Sequence, residues 1–239
     1  MSALTGRSAL VVLPLGATEQ HGPHLPEATD TLLAEAAARA LEAPEAADGA
    51  RAGAGAGTDG VRVLPALAFG SSGEHQAFPG TVSMGTGALA TTLLELGRSV
   101  STWADRMVVV NGHGGNVEAL RRAVPRLRYE GRDVAWLSCR TSEDPADTHA
   151  GHAETSLMLH LHPGLVRMEE AVRGCTTPLA QILGELREGG VGAVSASGVL
   201  SDPTTATAAE GRRLWGLLVE DLRRRVHAWS PDEGSGMLG

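Results

Sequence analysis

The sequence predicts an α/β protein, a three-layer α/β/α sandwich around a mainly parallel central sheet. Two observations carry this expectation. Short apolar, β-branched runs alternate with longer segments whose apolar residues recur at three- and four-residue spacing, which is the pattern of βαβ units. The chain, 239 residues and 42% hydrophobic, is long enough to bury one sizeable α/β core.

The elements follow in order. Ala9 to Leu15 is a continuous apolar run and reads as the first strand, with a helix over Thr31 to Glu42 behind it. The stretch from Gly49 to Gly57 alternates Gly with Ala and Arg, cannot bury a face, and is expected to be a flexible insertion over 49–60. It is no phosphate loop, because its glycines precede a strand and no GK[ST] follows. A second strand is predicted over Val61 to Ala68, a helix over Ala88 to Asp105, and a third strand over Met107 to Asn111. A helix over Val117 to Glu130 and a strand over Val134 to Cys139 complete the alternation. The C-terminal stretch is helical in pattern, and Arg223, Arg224 and Arg225 read as its solvated face. We expect one domain over 1–229 and a disordered tail over 230–239.

Composition excludes several function classes. A net charge of -8 argues against a nucleic-acid surface, and no apolar run approaches the roughly 18 residues of a membrane span. The first apolar stretch is broken by Pro14 and Gly16 too early for a signal peptide, so a cytoplasmic location is expected. Cys139 and Cys175 are far apart and lack metal-ligand spacing, which leaves them as two separate thiols.

Chemistry concentrates in three polar segments, which hold six of the nine histidines. In the first, Gly16 to Asp30, extended backbone points Glu19 and His21 the same way, so a carboxylate and an imidazole can meet at one point. Asp30 precedes a helix and can cap it or reach back to a metal. His24 is either a ligand or an exposed loop histidine. In the second, Asn111-Gly-His113-Gly-Gly-Asn116 ends a buried strand, where parallel sheets place their ligands, and the glycines around His113 permit close approach. In the third, Thr148 to His160, His149 falls in a loop and Glu154 in the first turns of a helix, where the helix dipole alone could account for its carboxylate. His160 and His162 read as packing residues. Carboxylates and imidazoles without thiolates suit Zn²⁺, Mn²⁺ or Fe²⁺, and a bridging Asp is the usual device for holding two ions together.

At these residues the sequence resembles the creatininase family of amidohydrolases. The motifs are LPLGATEQHGPHLPEATD, GSSGEHQAFPGTVS, VVVNGHGGN and HAGHAETS. The resemblance implies the three-layer fold, two divalent ions (Zn, Fe or Mn) and a homo-oligomer. It places Glu19 and His113 on one ion and His21 on the other, with Asp30 between them and His149 as catalytic histidine. Gly115 stands where creatininases proper carry an acidic ligand, which leaves Glu154 as the carboxylate for the second ion, or as a catalytic base. His75, with Gly80 and Thr81 of the Pro79-Gly-Thr turn, is expected to wall the substrate pocket.

The downstream segments, among them Gly174 to Gln181 and Gly198 to Pro203, resemble the branch that trims mycofactocin-type precursor peptides. That implies cleavage of a modified precursor peptide to release its C-terminal Val-Tyr portion, with no nucleic-acid or membrane partner. The alternatives are hydrolysis of a small cyclic amide or formamide, and a metal-stabilised scaffold that only binds a peptide.

Overall fold

The computed structural model describes residues 8–42, 60–139, 142 and 144–239. Most of the segment expected to be a flexible insertion therefore lies outside the described residues. These residues form a four-stranded parallel sheet, with β1 at Ser8–Leu15, β2 at Val61–Val63, β3 at Ala104–Asn111 and β4 at Val134–Ser138. The strand order is β2-β1-β3-β4.

The two central strands read as nearly continuous apolar runs because both of their faces are buried. Val11, Leu13, Leu15, Met107, Val109 and Trp136 point to one side and pack on α2 (Thr86–Val100) and α3 (Val117–Tyr129). Val12, Val108, Val110, Ala135 and Leu137 point to the other, where α1 (Thr29–Glu42) and α7 (Ala208–Ala228) cover them. Strand period two thus produces the three layers directly. Further helices are α4 (His152–Leu161), α5 (Leu179–Gly189) and α6 (Val191–Val194).

This topology creates the functional crevice. The chain leaves β1 for a helix on one face and leaves β3 for a helix on the other, so the connections diverge at the carboxyl ends of these adjacent strands. Open α/β sheets bind ligands at such a switch point.

Four local expectations need correction. Pairing of the second strand stops at Val63, and although Leu64 and Leu67 still donate to β1, Pro65 has no N–H to continue the ladder. The second helix ends at Val100, not at Asp105, because the Ser101 and Thr102 hydroxyls bond back to the carbonyls of Gly97 and Ser99, each at 2.7 Å. Ala104 and Asp105 then open β3. The segment 230–239 is not a disordered tail: Trp136 N–H donates to Gly236 O (3.1 Å), Leu238 N–H donates to Trp136 O (2.8 Å), and Leu238 is buried. It satisfies the backbone groups of β4, an edge that would otherwise stand open.

Asn116 ties the strand ends together. It is fully buried; its Oδ1 accepts from Ser71 N–H (2.8 Å) and its Nδ2 donates to Gly16 O (3.0 Å) and Asn111 Oδ1 (3.1 Å). Asn116→Ala leaves two main-chain groups without partners. The expected loss of stability is roughly 1 to 3 kcal/mol, read from urea unfolding.

Candidate metal centre

The crevice gathers five of the sequence-predicted residues. Glu19 and His21 come from the loop after β1, Asp30 from the first turn of α1, His113 from the turn after β3, and Glu154 from the first turn of α4. Donor atoms of Glu19, Asp30 and His113 lie within 4.8 Å of one another, as do those of His21, Asp30 and Glu154, and those of Glu19, His21 and His149. Asp30 belongs to two of these sets, as Glu19 and His21 also do, and its carboxylate has an imidazole on either side. Its Oδ1 is 3.3 Å from His21 Nε2 and its Oδ2 is 3.4 Å from His113 Nδ1.

The donors are desolvated and in part unsatisfied. Both oxygens of Glu19, Nε2 of His21 and Oδ2 of Asp30 are buried without a hydrogen-bond partner. Buried polar atoms are rarely left so, and several converging on one point fit a cation. Ring orientations agree. His21 Nδ1–H donates to Glu19 O (3.0 Å), which turns Nε2 toward Asp30, and His149 Nε2 lies 2.8 Å from Gln20 O, which turns Nδ1 toward Glu19. Glu154 serves twice: Oε2 accepts from Ala150 N–H (2.6 Å) in the manner of a helix cap, while the carboxylate also joins the His21 and Asp30 set.

Electrostatics point the same way. Burial, with help from Asp30, pushes Glu19 up to about 8 against the pull of His113 and His21. Burial likewise pushes Glu154 up to about 7. Burial would lower His21, but Asp30, Glu154 and Glu19 carry it up to about 10. Lacking other cations, the cluster binds protons. These raised values stabilise the metal-free fold below the ordinary 4.5 of Glu and 6.5 of His, and that contribution is lost as pH rises through about 7 to 10. Ions compete with those protons. The melting temperature of the metal-free protein should therefore fall between pH 7 and pH 9, above the range in which His24, His75 and His149, whose pKa values are lowered, take up protons on unfolding, while the increment produced by added Zn²⁺ or Mn²⁺ grows, as differential scanning fluorimetry would show.

Other residues fall differently. His75 lines the larger cavity and is buried against Glu19: its Nε2 is 3.3 Å from Glu19 Oε1, and burial, then His113 and His21, lower its pKa to about 3. Thr81 Oγ1 accepts from Gln20 N–H (3.1 Å), and Gly80 turns with φ +88° beside Glu27. Neither is among the lining residues of the cavity of about 830 Å³ that opens on the centre, whereas Glu74, Leu179, Leu183 and Leu186 are. His24 is no exposed loop residue; it is buried, with Nε2 2.9 Å from Thr155 Oγ1.

Sequence reading missed Gln20, Asn111, Asn116 and Glu74. Glu74 Oε1 is 3.6 Å from His113 Nε2 and would lie 2.6 Å from a Cβ at residue 115, so a side chain there would displace it. Each of the four lies within a motif that carries a predicted site residue, which was the available signal.

Fold and cluster together define a class, an α/β amidohydrolase with a candidate metal centre at its sheet's switch point. The chain belongs to the creatininase family: the family profile, described as creatinine amidohydrolase, matches residues 1–226. It is similar to the mycofactocin precursor peptide peptidase of Mycolicibacterium smegmatis, with 52% identity over 229 residues, covering 96% of this chain and 88% of that one. It also resembles two solved structures, a mutant creatininase of Zn-Zn type and a creatininase described with Mn. Each is 28% identical with a TM-score of 0.72, over 94% of this chain and 92% of the other.

Proposed function

We propose that the chain is a peptidase, dependent on two divalent ions, that cleaves a modified mycofactocin precursor peptide and releases its C-terminal Val-Tyr portion. The observation that carries the metal reading is the sharing of Asp30 between two donor sets. Glu19 and His113 would hold one ion, His21 and Glu154 the other, and Asp30 both. Zn²⁺, Mn²⁺ and Fe²⁺ suit this donor chemistry, and the Zn and Mn relatives support the first two. Similarity to a precursor peptide peptidase supports the substrate, and the apolar leucines of α5 offer its side chains a wall.

When bound, the ions supply what these side chains lack, an acidified water and a polarised scissile carbonyl. In its Nε2–H tautomer His149 accepts a proton from the attacking water at Nδ1 and delivers it to the leaving amine. Burial first, then His21 and His75, hold His149 well below its ordinary pKa, so it starts neutral and able to act as a base. Glu154, held by Ala150 N–H, keeps its position in the cluster throughout.

No helix among the described residues is long and apolar enough to cross a membrane. A cytoplasmic homo-oligomer belongs to the same reading, and light scattering reports its size. The deciding experiment incubates metal-loaded protein with modified precursor peptide, creatinine and a small formamide. Mass spectrometry should show many turnovers of peptide and release of its C-terminal fragment. Turnover of creatinine or formamide alone would replace the proposed substrate, and binding without product would make the chain a scaffold.

A further inference from the structure

Gln20 lies between the two residues offered as ligands of different ions, and its own side chain turns away from the cluster. The residue is buried, and its amide nitrogen Nε2 is 2.8 Å from His75 Nδ1, 3.0 Å from His149 Nε2 and 3.1 Å from Gly198 O. Its Oε1 accepts from Gly22 N–H at 2.9 Å, which fixes the amide's orientation and puts the NH₂ group toward the histidines. The main-chain carbonyl of the same residue lies 2.8 Å from His149 Nε2.

A count of protons shows why this is unusual. An amide NH₂ has two hydrogens, and here it faces three acceptors. Nε2 of His149 has two choices, donating to Gln20 O or accepting from Gln20 Nε2–H. In the first arrangement the amide serves His75 and Gly198, and His149 presents a bare Nδ1 to the cluster. In the second the amide serves His75 and His149, Gly198 O is released, and His149 presents Nδ1–H. Both keep His149 neutral, and both leave His75 Nδ1 as an acceptor, so that its Nε2–H faces Glu19 Oε1.

We propose that Gln20 is a positioning residue: its amide and carbonyl together hold Nε2 of His149 in either tautomer, and the same amide fixes His75 against Glu19. The close fit is enforced from the far side. Gly198 has φ +79°, and a Cβ there would overlap the Gln20 amide, so only glycine lets the 198 carbonyl approach. The catalytic role of His149 rests on the proposed function, but the hydrogen-bond exchange does not require peptide cleavage.

The test uses Gln20→Met, which keeps length and removes the amide, and Gln20→Glu, which keeps shape and removes the donors. In Zn²⁺-loaded protein labelled with ¹⁵N-histidine, the His149 ring signals are assigned by their loss in His149→Ala. The wild type should show averaged ring-nitrogen shifts, and Gln20→Met a single Nε2–H form, because only the carbonyl acceptor remains. Turnover should fall roughly tenfold, with KM and metal content within about twofold. Unchanged tautomers and turnover in both variants would overturn the proposal. Gly198→Ala crowds the amide without altering Gln20, and is expected to shift the same ring signals should either Gln20 variant fail to fold. Expected ring shifts without peptide turnover would refute the peptidase reading and leave the role of Gln20 standing.

Discussion

Asp30→Asn is expected to strip both ions at once, lowering metal affinity by at least about 100-fold and abolishing turnover. Loss of a partner outside the ligand shell typically costs about 10- to 100-fold in affinity, and the proposed function puts Asp30 inside it. Asn keeps the volume and one oxygen, so packing in the first turn of α1 is preserved. What it loses is the negative charge between His21 and His113 and the second oxygen, which no other residue offers to both donor sets. Elemental analysis after gel filtration reads metal content, and circular dichroism reads the fold. A folded Asp30→Asn protein that retains two ions per chain would remove Asp30 from the bridging position. Burial argues against a trivial outcome: Asp30 is only 2% exposed, so water cannot substitute for it cheaply.

His149→Ala should behave oppositely, keeping its metal and losing about 10²- to 10⁴-fold in kcat, the usual contribution of a positioned acid-base group. His149 sits in one donor set with Glu19 and His21, so geometry alone permits ligation. The separation of its Nδ1 from Glu19 Oε1, 3.7 Å, is longer than the 3.2 Å between His113 Nε2 and Glu19 Oε2. Each ion of the proposed pair has its own imidazole without His149, in His113 and in His21. Metal content and single-turnover rate on the same preparation separate the possibilities. Metal lost together with activity would make His149 a ligand.

Much of the centre was legible in the sequence because its donors sit at positions with local signatures. His113 follows a buried strand and lies among glycines, and Glu19 and His21 alternate after another such strand. The parallel topology then obliges those two strand ends to meet. Glu154 was legible for the wrong single reason or the right one, since its carboxylate both caps a turn and faces the cluster. His75 was legible as a polar residue of a site segment but not as a support of Glu19, since that role depends on a neighbour 56 positions away. His24 stayed open between a ligand and an exposed loop residue because nothing local announces Thr155, beside which it is buried and bonded.

By itself the sequence determined the layered α/β class, the strands that carry the site and the chemical nature of the donors, because hydrophobic period, glycine turns and residue type are local properties. Only the tertiary structure decided which histidine nitrogens face carboxylates, that Asp30 lies between His21 and His113, that Asn116 ties Ser71, Gly16 and Asn111 together, and that 230–239 covers the edge of β4. Such facts rest on hydrogen bonds and desolvation between segments as distant as Gln20 and Gly198, 178 positions apart. A buried polar atom acquires its role from whichever group the completed fold brings within reach.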